Sequence, residues 1–200
     1  MTAGVTVLTG PSGVGKGTVV AELIRQHPEV WLSISATTRS PRPGEVNGVT
    51  YWFVDDAEFD RLIETGSLLE WAVVHRTARY GTPRTPVEAA RAAGLCCLLE
   101  LDLAGARQVK HALPDCRTIF LLPPSWAELE RRLRGRGTEN SDALARRLRT
   151  AEVELAAVTE FDASVVNSDV AQTVADLVEL LGLGPGTTGP IPHIPNEGTQ

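Results

Sequence analysis

Apolar runs rich in β-branched residues alternate along this chain with segments of helical period. Val5 to Gly10 (VTVLTG) reads as a buried strand feeding a glycine-rich loop, and from Gly15 to Gln26 the residues Val19, Val20, Leu23 and Ile24 fall on one helical face. Further strands are predicted at Trp31 to Ser35, Leu95 to Leu101, Thr118 to Leu122 and Ala163 to Val166, and helices at Ala104 to Ala112, Trp126 to Arg134, Ser141 to Ala157 and Val170 to Leu181. Strands alternating with helices imply an α/β fold whose parallel sheet is covered on both faces.

Residues 35–82 break that rhythm. They are rich in Thr, Arg, Pro and Gly, then give a strand-like YWFV, a helix opening at Asp55 with Glu58 placed for a capping box, and a further apolar run. This stretch reads as an inserted subdomain. From Gly182 onward the sequence GLGPGTTGPIPHIPNEGTQ has too few apolar residues to build a core and is expected to be a disordered tail.

Composition narrows the class. Two hundred residues at 42% hydrophobic content suffice for one packed domain. A formal net charge of -6 argues against nucleic-acid and membrane-surface partners, which the average field would repel, so any anion site must be local. Cys96, Cys97 and Cys116 are odd in number and lack metal-ligand spacing; they read as buried thiols in a reducing cytosol. No run reaches the roughly 18 apolar residues of a membrane span. Met1 leads into a strand without a basic start or cleavage site, so a cytoplasmic protein is expected.

The chemistry is concentrated in three places. Gly10 to Thr18 (GPSGVGKGT) fits G-x-x-x-x-G-K up to Lys16, then places Gly17 where that pattern wants a hydroxyl. In such a loop, Gly10, Gly13 and Gly15 let backbone N–H groups converge on phosphate oxygens, and Pro11, Ser12 and Val14 complete the phosphate-binding stretch. The next helix adds its positive end, and Lys16 supplies a cation. Arg39, Arg42 and Tyr51 offer two guanidinium forks and a phenol, donors suited to a phosphate dianion. Arg131, Arg132, Arg134, Arg136, Arg146, Arg147 and Arg149 crowd one short region of an acidic chain. They suit a flap over a polyphosphate, although acids around Glu128 to Glu130 and Glu152 to Glu154 are spaced to pair with some of them.

In order, GPSGVGKGT, SATTRSPRPGEVNGVTYWFV, LLEW, YGT, LELDLAGARQVK, FLLPPSWAELERRLRGRGTE and FDASVVNSD resemble the guanylate kinase family over about Val5 to Leu181. The resemblance implies a P-loop three-layer fold with a five-stranded parallel core sheet, an inserted GMP-binding subdomain and a helical lid. The corresponding boundaries are a domain at 1–181, with core 1–34, 83–125 and 159–181, GMP-binding subdomain 35–82 and lid 126–158, followed by the tail at 182–200. It implies transfer of the γ-phosphoryl group of ATP to GMP, with Mg²⁺ held mainly by ATP phosphates and water, and no direct protein ligand.

Carried over to this chain, the family's pattern puts Glu70 and Asp102 on the donor edge of guanine, with Ser35 and Thr82 as hydroxyl partners. It puts Arg39, Arg42, Tyr51 and Tyr80 around the GMP phosphate. Lys16, Arg39, Arg136 and Arg147 become the catalytic cations. Asn167 stands on the adenine side, and Gly17 and Thr18 complete the ATP loop, GKGT being one of the family's own variants. No general base is required, because the attacking group is already an anionic phosphate oxygen; His27, His75, His111 and His193 read as structural or exposed.

The stretch WAVVHRTAR, between Glu70 and Tyr80, is one residue longer than the usual family spacing, which predicts a bulge there. Glu100 either reaches Mg²⁺ through water or ends a buried strand, and Trp52 and Trp71 read as packing residues. Two alternatives stay open beside the kinase reading: an inactive guanylate-kinase-like binding module, and a kinase for another nucleoside monophosphate or a sugar bisphosphate. The intact loop weighs against the first, the carboxylate pair against the second. The chain is expected to act on small molecules as a monomer or homodimer.

Overall fold

The computed structural model describes residues 4–74, 78–135 and 141–184. Five parallel strands form the main sheet: β1 (Val5–Thr9), β2 (Val30–Leu32), β7 (Cys96–Glu100), β8 (Arg117–Leu122) and β9 (Ala163–Val166), in the spatial order β2-β7-β1-β8-β9. Alternate residues of each strand point to opposite faces, and both faces are buried. On one face, Leu8, Leu98, Ile119, Leu121 and Val165 pack with Val19, Val20 and Leu23 of α1 (Lys16–Gln26) and Val174 and Leu177 of α7 (Val170–Leu181). On the other, Val5, Val7, Cys97 and Leu99 pack with Val87 and Ala90 of α3 (Arg84–Ala92) and Ala106 and Val109 of α4 (Leu103–Ala112). The three cysteines are free and buried in these layers.

A second sheet is mixed and four-stranded, in the order β4-β3-β6-β5, from β3 (Ala36–Thr37), β4 (Trp52–Phe53), β5 (Leu68–Val74) and β6 (Ala78–Pro83). Helix α2 (Asp56–Glu64) covers it through Phe59, which is fully buried with Ala36 and Leu68. Arg79 of β6 pins this helix: its guanidinium lies 4.8 Å from the Phe59 ring centroid and donates to Asp56 at 2.6 Å and Asp60 at 2.5 Å. Helices α5 (Trp126–Arg134) and α6 (Ser141–Ala156) form a third unit around Leu129, Leu133 and Ala151.

Most predicted elements stand within a residue or two of their expected bounds, and the differences have physical reasons. Helix α3 had no counterpart in the sequence reading because Pro86 interrupts its pattern; proline sits in the first turn, where its missing N–H costs no intrahelical bond. Strand β2 stops at Leu32, because the chain then leaves the main sheet for β3. The capping box at α2 is half formed. Asp55 accepts from the Glu58 N–H at 2.8 Å, but the Glu58 carboxylate turns to Arg61 instead of returning to the cap.

No bulge falls between Glu70 and Tyr80 among the described residues. Pairing is unbroken from Glu70↔Thr82 to Val74↔Ala78, and the irregularity lies between Leu68 and Glu70. Trp52 packs as expected beside Phe59, whereas Trp71 is 38% exposed and belongs to no core. His27 is buried, with Nδ1 3.0 Å from Glu29 Oε1, and His111 is exposed. His75, His193, and all of the tail beyond residue 184 lie outside the described residues.

Candidate active site

The phosphate loop joins β1 to α1 at the C-terminal edge of the main sheet. Gly10 (φ 148), Gly13 (φ 84) and Gly15 (φ 101) take conformations that side chains resist, and a Cβ on Gly10 would stand 2.4 Å from the Leu121 carbonyl oxygen. Behind the loop, the Val14 carbonyl accepts from Asn167 Nδ2 at 2.8 Å and from an Arg132 Nη at 2.9 Å. A Cβ on Gly15 would meet that same Asn167 nitrogen at 2.7 Å. Asn167 is 4% exposed, and its Oδ1 lies 3.1 Å from the Thr173 hydroxyl, so its amide braces the loop from inside the protein. Lys16 Nζ folds over the loop and donates to the Gly10 carbonyl at 2.5 Å.

Helix α6 reaches the loop at Ser12. Arg147 donates to Ser12 Oγ at 3.0 Å, and Glu154 Oε2 accepts from the Ser12 N–H at 3.2 Å. Desolvation holds the Glu154 carboxyl above its ordinary pKa, opposed by the Ser12 N–H and the charge of Lys16. The remaining arginines of this region divide. Arg131 and Arg132 pair with Glu128, and Arg134 with Glu130, at helical spacing, so acids on the same helix absorb much of that positive charge. Arg136 lies outside the described residues.

Glu100 ends β7 beside the loop, with its Oε1 3.9 Å from where a Cβ on Gly17 would be. Its pKa is raised by desolvation, with Lys16 drawing it back. Gly17 and Thr18 are exposed on the first turn of α1. Among the described residues no group of three or more His, Cys, Asp or Glu could hold a metal ion by itself.

In the second sheet, register places Glu70 of β5 directly opposite Thr82 of β6, so both side chains share one face. Both are buried, and Thr82 donates its hydroxyl hydrogen to Glu70 Oε1 at 2.7 Å. Burial pushes the Glu70 carboxyl up to about 7; the Thr82 hydrogen bond opposes the shift and the charge of Asp102 adds to it. Asp102 caps α4 by accepting from the Gly105 N–H at 2.8 Å. The absence of a side chain at Gly105 lets the helix approach, since a Cβ there would lie 3.1 Å from Glu70 Oε2.

Arg39 lies beside both tyrosines. Its Nε donates to Tyr80 Oη at 3.0 Å, its guanidinium carbon lies 5.4 Å from the Tyr51 ring centroid, and the two tyrosine rings meet edge to face at 5.7 Å. Glu45 takes the rest of the fork at 2.8 Å and 2.9 Å, which raises the Arg39 pKa further. The Arg42 backbone N–H also donates to Glu45, while its side chain is exposed. Ser35 is half-buried where the chain passes from β2 to β3, its carbonyl accepting from the Trp52 N–H at 2.9 Å.

The sequence reading missed Glu45 and Gly105, and it named Arg132 and Glu154 only in the arginine-rich region, without their contacts to the loop. Only Glu45 carried a local signal, as the one acid within the Arg-Pro-Gly stretch; the others meet the site through long-range packing.

Among the described residues no helix is long and apolar enough to cross a membrane. A guanylate kinase family model matches residues 3–182. The chain is 60% identical over 176 residues to a guanylate kinase of Thermobifida fusca, covering 88% of this chain and 89% of that one. It is 59% identical over 184 residues to one of Leifsonia xyli, covering 92% and 72%. The crystal structure of guanylate kinase from Anaplasma phagocytophilum superposes with a TM-score of 0.71 at 32% identity, covering 91% of this chain and 86% of the other. With five parallel strands, a glycine-built phosphate loop and a buried carboxylate on the second sheet, this chain belongs to the guanylate kinase family.

Proposed function

We propose that this protein transfers the γ-phosphoryl group of ATP to GMP, giving ADP and GDP. The observation that carries the reading is Glu70. A carboxylate buried opposite Thr82 is costly unless it meets donors, and guanine presents two adjacent ones, N1–H and the exocyclic amine. Adenine offers an acceptor at N1, which would leave the carboxylate unpaired, the kind of mismatch that discriminates strongly. Asp102, at the mouth of α4, is the second carboxylate for that edge, and Ser35 and Thr82 are its hydroxyl partners.

Arg39, with Tyr51 and Tyr80 packed about it, takes the GMP phosphate in place of Glu45, and Arg42 closes from the exposed side. Residues 35–82 then act as the acceptor-binding unit and 126–158 as the lid. The loop from Gly10 to Thr18 binds the ATP phosphates, with Lys16 exchanging the Gly10 carbonyl for a phosphate oxygen. Arg147 reaches the transferring group from the lid, joined in the family's pattern by Arg136. Asn167 acts on the ATP side by holding Val14 and therefore the loop's shape.

Hard oxygen donors, Glu100 and the Thr18 hydroxyl, flank Gly17, which fits Mg²⁺ held chiefly by phosphates and water. Bound there, Mg²⁺ would neutralise phosphate charge. The protein's own part is alignment and charge stabilisation, because the acceptor oxygen is already an anion. Closure of the lid on the acceptor unit excludes water, which limits hydrolysis of ATP.

A coupled assay with ATP and each of GMP, AMP, CMP and UMP tests the reading. Preferential turnover of GMP is the expected result. Preference for another acceptor assigns a different kinase, and no turnover with any of them assigns a binding module. Lys16→Ala should abolish turnover and leave the fold intact.

A further inference from the structure

Glu70 and Asp102 belong to different units: one lies on β5 of the second sheet, the other caps a helix of the core. Two carboxylates can read one base edge only if their separation is fixed to within about half an ångström. Strand β5 is the outermost strand of its sheet, so one of its edges has no neighbouring strand. At Trp71, the residue after Glu70, a side chain occupies that edge. The Trp71 N–H donates to Gln108 Oε1 at 3.1 Å, and Gln108 Nε2 donates to the Trp71 carbonyl at 3.1 Å. A planar amide offering one acceptor and one donor reproduces what a paired strand residue would offer.

Gln108 lies three residues beyond Gly105, so the two share the face of α4 that meets β5. Gly105 lies where a Cβ would crowd the Glu70 carboxylate, Gln108 grips the backbone one residue on, and Asp102 caps the same helix.

We propose that Gln108 is a positioning residue for guanine recognition, clasping the β5 backbone at Trp71 so that Glu70 stands at a fixed offset from Asp102. The clasp rests on the assignment of Glu70 to the guanine edge. It touches neither nucleotide, and its effect is on acceptor affinity and base preference, with the phosphoryl-transfer step unaffected. Gln108 also blocks an exposed strand edge, a purely structural service. The two roles give different kinetic signatures.

The test compares the wild-type protein with Gln108→Leu, Gln108→Glu and Glu70→Gln, using GMP and inosine monophosphate, which lacks the exocyclic amine. Gln108→Leu removes both hydrogen bonds. It should raise KM for GMP roughly tenfold, as loss of a pair of net hydrogen bonds implies, and shrink the preference for GMP over inosine monophosphate. KM for ATP and kcat at saturating GMP should stay within about twofold. Gln108→Glu keeps the acceptor and loses the donor, so it should fall between Gln108→Leu and wild type.

Thermal unfolding of each variant separates loss of fold from loss of position. An unchanged KM for GMP in Gln108→Leu, or an equal loss on both acceptors with a lowered melting temperature, overturns the clasp. If Glu70→Gln uses GMP as well as wild type does, the guanine-edge assignment fails and the clasp with it. If Glu70→Gln loses its preference while Gln108→Leu keeps it, the clasp alone fails.

Discussion

Thr82 donates to Glu70 Oε1 at 2.7 Å in a site where Thr82 has no exposed surface and Glu70 only 7%. The hydrogen bond favours the charged carboxylate, yet burial outweighs it and the group titrates at about 7. If Glu70 takes the guanine donors as proposed, those donors require the ionised form, and below that pH the protein must release a proton before GMP binds. KM for GMP should therefore fall about tenfold as pH rises from 6 to 8, the ratio set by one proton and a pKa of about 7. Initial rates over that range test this, with Glu70→Gln as the control in which the dependence flattens to that of the GMP phosphate alone.

The same titration sets a stability prediction of opposite sense. The folded chain holds the Glu70 proton up to about pH 7, the unfolded chain loses it near 4.5, and so the folded state binds more protons between them. Stability from this group is present below 4.5 and declines as pH rises to 7, a cost of about 3 kcal/mol once the carboxylate is charged. Glu70→Gln should melt several degrees above wild type at pH 8, and the gap should close by pH 5. Thermal unfolding at the two pH values measures it.

How much of this was legible in the sequence depended on range. Helices α5 and α7 and strand β9 carry regular apolar patterns, and their bounds follow from those patterns. The glycines at 10, 13 and 15 were readable because the loop's conformation makes local demands. Helix α3 was hidden by Pro86, whose place in a first turn only the preceding strand reveals. Glu154 meets Ser12 across 142 residues, and Gln108 meets Trp71 across 37. Nothing in either neighbourhood announces such a contact. Asn167 shows the limit from the other side: the motif marked the residue, and the fold shows its amide bracing Val14.

Arg39 holds Glu45 bidentately, a carboxylate standing where the planar fork would meet a phosphate. Arg39→Lys keeps the charge but loses the fork and the stacking on Tyr51. It should lower kcat/KM for GMP on the order of a hundredfold, about 2–3 kcal/mol for charge-assisted bonds, while ATP affinity measured by calorimetry stays near wild type.

Glu154 occupies the Ser12 N–H, a donor of the phosphate loop, and repels any triphosphate that approaches it. Glu154→Gln removes the charge and weakens the acceptor, so KM for ATP should fall by about threefold. Arg147→Ala removes another contact from α6 to Ser12 together with a cation beside the loop, and should lower kcat instead. Measuring both parameters for both variants distinguishes a competitor for the loop from a contributor to transfer; a raised KM for ATP in Glu154→Gln contradicts the first assignment.

Gly17 is the departure from the commonest phosphate-loop pattern, and its surroundings permit a side chain. It is exposed on the first turn of α1, and among the described residues an added Cβ would meet only Glu100 Oε1, at an ordinary 3.9 Å. Gly17→Ala should add about 0.5–1 kcal/mol of stability by reducing unfolded-state entropy and leave the Mg²⁺ requirement alone. Gly17→Ser adds the same constraint and a hydroxyl at the position where related loops ligate the metal. Its half-saturating Mg²⁺ concentration should fall two- to threefold at fixed ATP, read from a metal titration of activity. If Gly17→Ala shifts that curve as far as Gly17→Ser does, the effect belongs to the helix and not to the oxygen, and the glycine's role is conformational.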